Sequence, residues 1–377
     1  MIPSLSNKKL YPSLKNHVYL NQASLGLISN TTIEKMEAFL RGVARHGNIH
    51  MSDHDELALL DSMRIDTAKL FNCKPHQVAV LASASEMLSQ IPYVLKPPID
   101  STIMMIESDF PAVTRPWIKY SQENVCNILF VKENLKTNLT ELILKKITSE
   151  TSVIQISMVQ FSSGTKIDIK RLGRKTKRLG IKLIVDVTQA AGALPIKAND
   201  WNADILITSG YKWLGGHGGV GLAYISDEIL KSNPFSVGWM SAPNPFEMNS
   251  TECNFELDAR SYTQSTMSYI SIIGLQNSLK EIITLDPNKI EKHAKSLANL
   301  LLNELHNTNL VPEINKIESC NSNHIIPLKC PNDTLKKVLI KLKRKNIICS
   351  LRNGKIRLSL AHYNDECDII KLLEALT

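Results

Sequence analysis

Between residues 77 and 226, short apolar runs alternate with stretches in which apolar residues recur at helical spacing. The runs at 78–81, 102–106, 128–131, 153–158, 182–185, 205–208 and 221–225 are mostly apolar from end to end, as strands buried on both faces are. Between them, 85–95, 139–147 and 169–179 have the length and periodicity of helices. This alternation predicts an α/β fold with a mostly parallel sheet, helices on both faces, and ligands bound beyond the carboxyl ends of the strands.

From 232 to 254 the chain turns rich in Pro, Asn and Ser, which predicts a long irregular connection. A helix at 268–285 then leads into a second α/β stretch, with helices at 288–304 and 334–343 and strands at 324–328 and 355–360. A length of 377 residues exceeds one typical domain. The expected division is an N-terminal segment, 1–20, packing on the small domain, a large domain over 21–265, and a small C-terminal α/β domain over 266–377.

Composition narrows the function classes. Hydrophobic residues make up 43% and charged residues 21%, ordinary for a globular protein and too polar for a membrane-embedded one. The first ten residues lack the apolar core of a secretory signal, so a cytoplasmic location without membrane attachment is expected. Seven scattered cysteines never form a C-x-x-C pair, which argues against a zinc site or a disulfide framework. The net charge of +8 concentrates in 166–182 and 336–345, yet apolar residues at helical spacing, such as Ile169, Leu172 and Leu179, run through the first of these. Such charges read as the solvated face of an amphipathic helix, and no nucleic-acid partner is expected.

Residues 181–225, IKLIVDVTQAAGALPIKANDWNADILITSGYKWLGGHGGVGLAYI, carry the chemistry. Asp186 ends one apolar strand, and Ser209, Tyr211 and Lys212 follow the next. In a doubly wound sheet both strand ends open into one crevice, so an acid and a lysine distant in sequence can face one ligand. Pyridoxal 5'-phosphate (PLP) needs that combination: the lysine forms an imine with its aldehyde carbon, and a carboxylate keeps its pyridine nitrogen protonated. Taken singly, each residue has an ordinary alternative, since an Asp at a strand end is often a helix cap and a Lys is usually solvated.

D-x-x-Q followed by S-x-x-K, present as Asp186, Gln189, Ser209 and Lys212, resembles the class V aminotransferase family, which includes cysteine desulfurases, kynureninases and isopenicillin N epimerase-like enzymes. The similarity extends over nearly the whole chain. VYLNQASLG at 18–26 resembles the family's Y-L-D/N-x-A strand, and LASASEMLSQI at 81–91 resembles its T-x-x-x-S/T-E-A-I/L-N turn and helix. The resemblance implies the PLP-dependent transferase fold (fold type I), PLP as cofactor, an amino-acid substrate and a homodimer with shared active sites. It would place Ala84, Ser85 and the first amides of their helix at the PLP phosphate, where a helix N-terminus favours an anion.

By the same resemblance Ser209 and Tyr211 would contact the phosphate and Gln189 the 3'-oxygen of the ring. In ESDFPAVTRPW at 107–117, Phe110 stands where the family carries a ring-stacking histidine. A phenyl ring can stack but cannot shuttle a proton, and kynureninase-like members similarly have Phe there. ARSYTQSTMSY at 259–269 replaces the family's R-F-E-x-G-T, and Thr266 matches the position that reaches the phosphate bound by the other subunit. RLSLAHYND at 357–365 matches R-x-S-x-x-x-Y-N, which makes Arg357 the grip on the substrate α-carboxylate. Asn21 and His50 complete the expected substrate contacts.

Desulfurases carry a reactive cysteine on a loop between an upstream arginine and this one. Here Arg352 runs through Asn353, Gly354 and Lys355 straight to Ile356, which leaves no room for that loop, and Cys349 in NIICSL reads as a buried strand residue. Gly216, Gly218 and Gly221 satisfy G-x-G-x-x-G but lead into an apolar run rather than a helix, so the dinucleotide reading is rejected. His46, His50 and His54 lie at i, i+4 and i+8, but Gly47 and Asn48 weaken a helix there, and no metal site is expected. The expected activity proceeds through an external aldimine and a Cα carbanion, with lyase-type or epimerase-type chemistry. The alternatives are a cysteine desulfurase with a non-standard nucleophile, an aminotransferase, and a catalytically silent PLP-fold partner protein.

Overall fold

The computed structural model describes residues 1–331 and 334–376. After a short strand β1 (Val18–Tyr19), two long helices, α1 (Asn30–His46) and α2 (Asp53–Phe71), precede the first strand of the main sheet. The sheet strands are β2 (Val78–Leu81), β3 (Thr102–Ile106), β4 (Asn127–Val131), β5 (Thr151–Ser157), β6 (Lys182–Asp186), β7 (Ile205–Ser209) and β8 (Gly221–Ile225). Helices α3 (Ala84–Leu95), α4 (Pro111–Glu123), α5 (Leu139–Lys146), α6 (Ile169–Leu179) and the short α7 (Ala198–Trp201) connect them.

Spatial order is β2-β8-β7-β6-β5-β3-β4, and only β8 runs antiparallel to its neighbours. Side chains alternate across a pleated strand, so unbroken apolar runs must serve two cores. They do: Val80, Met104, Ile154, Leu183 and Leu206 enter one cluster, while Ala79, Ile103, Val153, Ile184 and Ile205 enter the other. The parallel strands end together, which brings Asp186 of β6 and Ser209 of β7 to one edge of the sheet.

Beyond the irregular 232–254 stretch, which forms only short 3-10 turns, come α8 (Tyr269–Leu285) and α9 (Pro287–Glu304). Strands β9 (Val311–Pro312), β10 (Ile325–Lys329), β12 (Ser350–Arg352) and β13 (Lys355–Ser359) form an antiparallel sheet in the order β12-β13-β10-β9. Helices α10 (Leu335–Arg344) and α11 (Glu366–Leu376) pack with α9 over a separate core that includes Leu297, Ile326, Leu358 and Leu372. The chain start joins it. β1 pairs in parallel with β11 (Ile347–Ile348), and Leu20 is fully buried in the same core. Among the described residues no helix is long and apolar enough to cross a membrane.

Three local details bear on the sequence expectation. Helix α3 starts at Ala84 because Ser83 is its N-cap, accepting from the Glu86 amide at 3.1 Å. The helix carrying His46 ends at Gly47 (φ +53°), so His46, His50 and His54 fall on three different elements. Cys349 lies in the break between β11 and β12 and is only partly buried.

Candidate active site

Lys212 follows β7 and is 7% exposed. Its Nζ stands 5.3 Å from the centre of the Phe110 ring and 5.7 Å from that of Tyr211. Burial pulls the ammonium down to about 8, and Arg357 and Arg352 push it the same way, while Asp186 opposes them. A lysine held so near neutrality is available as a nucleophile or base at physiological pH. Its backbone carbonyl accepts from Gln22 Nε2 at 2.9 Å, and Gln22 Oε1 in turn accepts from Tyr363 at 2.6 Å. The tyrosine of the C-terminal Y-N pair therefore braces the segment that carries the lysine.

Asp186 is buried at the end of β6 and accepts from the Thr188 amide at 2.7 Å. Burial raises its carboxyl, opposed by hydrogen bonding from Thr188 and by the charge of Lys212. The Thr188 hydroxyl accepts from the Ser209 amide at 3.2 Å, tying the ends of β6 and β7 together. Gln189 is less free than expected: its Oε1 accepts from Trp213 at 2.7 Å and its Nε2 donates to the Ala23 carbonyl at 3.1 Å, leaving one amide hydrogen for a ligand. His324 fixes this turn further, with Nε2 2.7 Å from the Gln189 carbonyl and its ring edge-on to Trp213.

Asp109 belongs to the same cluster although the sequence did not single it out. It is buried, accepts from the Ser157 amide at 2.7 Å and the Ser157 hydroxyl at 2.5 Å, and holds the Phe110 amide at 2.7 Å. Burial pushes its carboxyl up to about 6, and the charge of Asp186 adds to this. Phe110 meets Phe161 edge-on at 5.6 Å and keeps one side of its ring open, at 40% exposed.

The N-terminus of α3 lies against the start of β8, itself paired with Ser209. A Cβ on Gly221 would sit 2.6 Å from the Ala84 nitrogen, so the strand can pass this close only as glycine. The Ala84 and Ser85 amides belong to the first turn, which has no intrahelical acceptors, and Ser85 is exposed. Such a turn is suited to a phosphate.

Arg357 is 1% exposed on β13. It donates to Ser24 Oγ at 2.6 Å, to the Phe161 carbonyl at 2.8 Å and to Ser350 Oγ at 3.1 Å. Burial lowers it to about 10, with Arg352 adding to the effect. Arg352 donates to the same Ser24 oxygen at 3.1 Å. It faces Lys355 across a two-residue hairpin turn in which Asn353 (φ +49°) and Gly354 (φ +73°) both adopt the left-handed conformation. Asn21, bridged to Ser359, holds a buried Oδ1 without a hydrogen-bond partner, as a ligand-facing acceptor would be.

Other expected residues stand apart within the single chain. Thr266 is exposed, and His50, in the turn after α1, folds back against Phe39 and Gly42 of that helix. Burial pushes the Cys349 thiol up to about 11. Among the described residues no group of three metal-ligating side chains is assembled.

The residues present fit pyridoxal phosphate: a desolvated amine beside a buried carboxylate, a helix N-terminus ready for an anion, and an orphaned buried acceptor on Asn21. The whole-chain comparisons agree. The Aminotransferase class-V family model matches residues 18–372, and the chain belongs to that family. It is 23% identical to an uncharacterized aminotransferase, YcbU, of Bacillus subtilis over 95% of this chain and 93% of that protein. It is 24% identical to a probable cysteine desulfurase of Mycoplasma genitalium over 97% and 93%. Among solved structures, the cystine C-S lyase C-DES superposes with a TM-score of 0.88 at 18% identity, covering 97% of this chain and 98% of that one. The cysteine desulfurase of Thermococcus onnurineus does so at 0.88 and 18%, covering 97% and 95%. The fold is thus that of the PLP-dependent transferases, fold type I. Class V aminotransferases use pyridoxal phosphate, which is accordingly the cofactor of this chain.

Proposed function

We propose that the chain is a cytoplasmic, homodimeric enzyme that acts on an amino acid at Cα, with lyase-type or epimerase-type outcome. The observation that carries this reading is Lys212, a buried amine brought to about 8 between an aromatic face and a carboxylate. When bound, the cofactor supplies a conjugated ring that accepts the electron pair left at the substrate Cα. The Lys212 nitrogen is the point of attachment for the cofactor and, once released, the atom that takes and returns the Cα proton. Asp186 supplies the negative charge that holds a protonated pyridine nitrogen. Ala84, Ser85, Ser209 and Tyr211 hold the phosphate, Gln189 offers its remaining amide hydrogen to the ring oxygen, and Phe110 provides an apolar face. Arg357 fixes the substrate carboxylate, with Asn21 as a neighbouring acceptor.

A desulfurase outcome is the second reading, favoured by the similarity to the probable cysteine desulfurase. Against it stands the two-residue turn between Arg352 and Lys355, which leaves no cysteine between the two arginines. Cys349, with its thiol near 11, carries little thiolate at neutral pH. Sulfide release from cysteine before and after Cys349→Ala separates the readings, since unchanged release removes Cys349 from any mechanism. A silent partner protein would have no need to retain Lys212, Asp186 and Arg357 together. The homodimer is supported by the exposure of Leu257, Phe235 and Thr266 on the irregular segments, and sedimentation of the purified protein tests it.

The direct test of the central reading is the absorbance spectrum of the purified protein while amino acids are added one at a time. Borohydride reduction followed by peptide mapping should then place the label on Lys212. A colourless protein, or a label elsewhere, overturns the reading.

A further inference from the structure

We propose that Arg352 forms a second anion subsite beside Arg357, so that the substrates of this chain are amino acids bearing an additional carboxylate on the side chain. The inference rests on the reading that the cleft binds an amino acid, and it adds the substrate class.

Both guanidinia donate to one oxygen, Ser24 Oγ, at 2.6 and 3.1 Å. They therefore stand no farther apart than those two distances combined, although they are like charges. Among the described residues neither has a carboxylate within ion-pair distance, whereas Arg64, Arg171 and Arg260 each do. Arg357 is desolvated and Arg352 half-buried beside it. A buried cation without a counter-ion is costly, and a site that keeps a second cation next to it is arranged for anions that arrive from outside.

Donor accounting separates the two roles. A guanidinium has five N–H groups. Arg357 commits three, to Ser350, Phe161 and Ser24, and retains two, enough for one carboxylate. Arg352 commits two, to the Leu351 carbonyl and Ser24, and retains three that the α-carboxylate does not need. Ser24 Oγ accepts from both arginines, and its own proton remains to be donated. Arg352 is also held in place: the two-residue turn fixes the end of β12, so its side chain is presented from a rigid hairpin rather than a loop. Charge points the same way, because Arg352 and Arg357 both act on Lys212, and among the described residues Asp186 is the carboxylate that opposes them there.

The test uses the holoenzyme and near-isosteric pairs, L-aspartate against L-asparagine and L-glutamate against L-glutamine. Dissociation constants are read from the cofactor absorbance change on rapid mixing, before turnover. The wild-type protein should prefer the acid in at least one pair by about tenfold or more, in the range of a charged hydrogen bond. Arg352→Gln should bring that ratio close to one, and Arg352→Lys should restore part of it, with thermal melting confirming that both variants fold. Equal affinities within both pairs overturn the proposal, as does an Arg352→Gln protein that keeps the wild-type ratio or loses both members of a pair equally. If no amino acid alters the absorbance at all, the amino-acid reading fails with it, so the two failures are distinguishable.

Discussion

Two regions of this molecule concentrate positive charge, and they mean opposite things. Helix α6 carries Lys170, Arg171, Arg174, Lys175, Lys177 and Arg178, yet it buries Ile169 and Leu172 beneath them and leaves the cations in water. Among the described residues the cleft at the strand ends gathers Lys212, Arg352 and Arg357, of which Lys212 and Arg357 are almost wholly desolvated. On α6 solvent screens the charges, so their number hardly matters to stability. In the cleft each charge resists burial, which is why Lys212 sits near 8 and Arg357 near 10. Burial, not abundance, marks the cations proposed to act on a ligand.

The largest expected effect tests that contrast directly. Lys212→Met should lower turnover of any responsive amino acid by about 10³-fold or more, since on the proposed reading one side chain both attaches the cofactor and moves the proton. The loss should persist at saturating cofactor. Next comes Asp186→Asn, which keeps the shape but removes the charge that faces the ring, with an expected loss of about 10²–10³-fold in kcat. If either variant retains wild-type turnover, the cleft is not the reacting centre. Arg357→Lys keeps the charge and loses the planar fork. It should raise KM about tenfold or more with a smaller change in kcat, the pattern of an interaction equal in ground and transition states.

Much of the fold and of the candidate site is legible in the sequence, and the parts of the site that are not share one physical cause. Strands buried on both faces announce themselves as continuous apolar runs, so 78–81 and 221–225 match β2 and β8 residue for residue. Asp186, Ser209 and Lys212 were legible because they follow such strands, and a parallel sheet brings its carboxyl ends together. Arg352 and Ser24 show no shared role in the sequence, because they meet across 328 positions of chain. Asp109 stood next to the residue that drew notice, but its significance lies in burial and in the hydrogen bonds from Ser157, which no local pattern encodes. Helices α1 and α2 are not among the elements expected from the sequence; α2 nonetheless buries Leu60, Met63, Leu70 and Phe71, and α1 carries an apolar stripe whose Ile33, Leu40 and Val43 stay exposed.

A smaller effect follows from the desolvation of Lys212 itself. Its folded-state value near 8 lies below the 10.5 of an exposed lysine. Below pH 8 the group is protonated in both states, and the folded state bears the full penalty of the buried charge. As pH rises from 8 to 10.5 the folded state sheds its proton first, so the unfolded state binds more protons and stability increases with pH. The difference corresponds to about 3 kcal/mol. In the cofactor-free protein, Lys212→Met should therefore be more stable than wild type at pH 7 by up to that amount. The advantage should fade as the pH approaches 10.5. Urea denaturation of both proteins at the two pH values measures it, and a constant difference between them would show that Asp186 compensates the charge fully.

The smallest effect is expected on α6, where it is the absence of change that discriminates. Arg174→Gln with Arg178→Gln removes two exposed cations that make no ion pair with any described residue, while the apolar face of the helix stays intact. Stability should move by less than about 0.5 kcal/mol, because water already solvates these groups in the folded and unfolded chain alike. Amino-acid affinity should not change at all, since α6 contributes no side chain to the groups around Lys212. Raising the salt concentration should likewise leave the double variant and the wild type equally stable in thermal melts. A marked loss of affinity would mean that long-range attraction from this helix steers anionic substrates into the cleft, and the two cationic regions would then act on one ligand rather than serving unrelated ends.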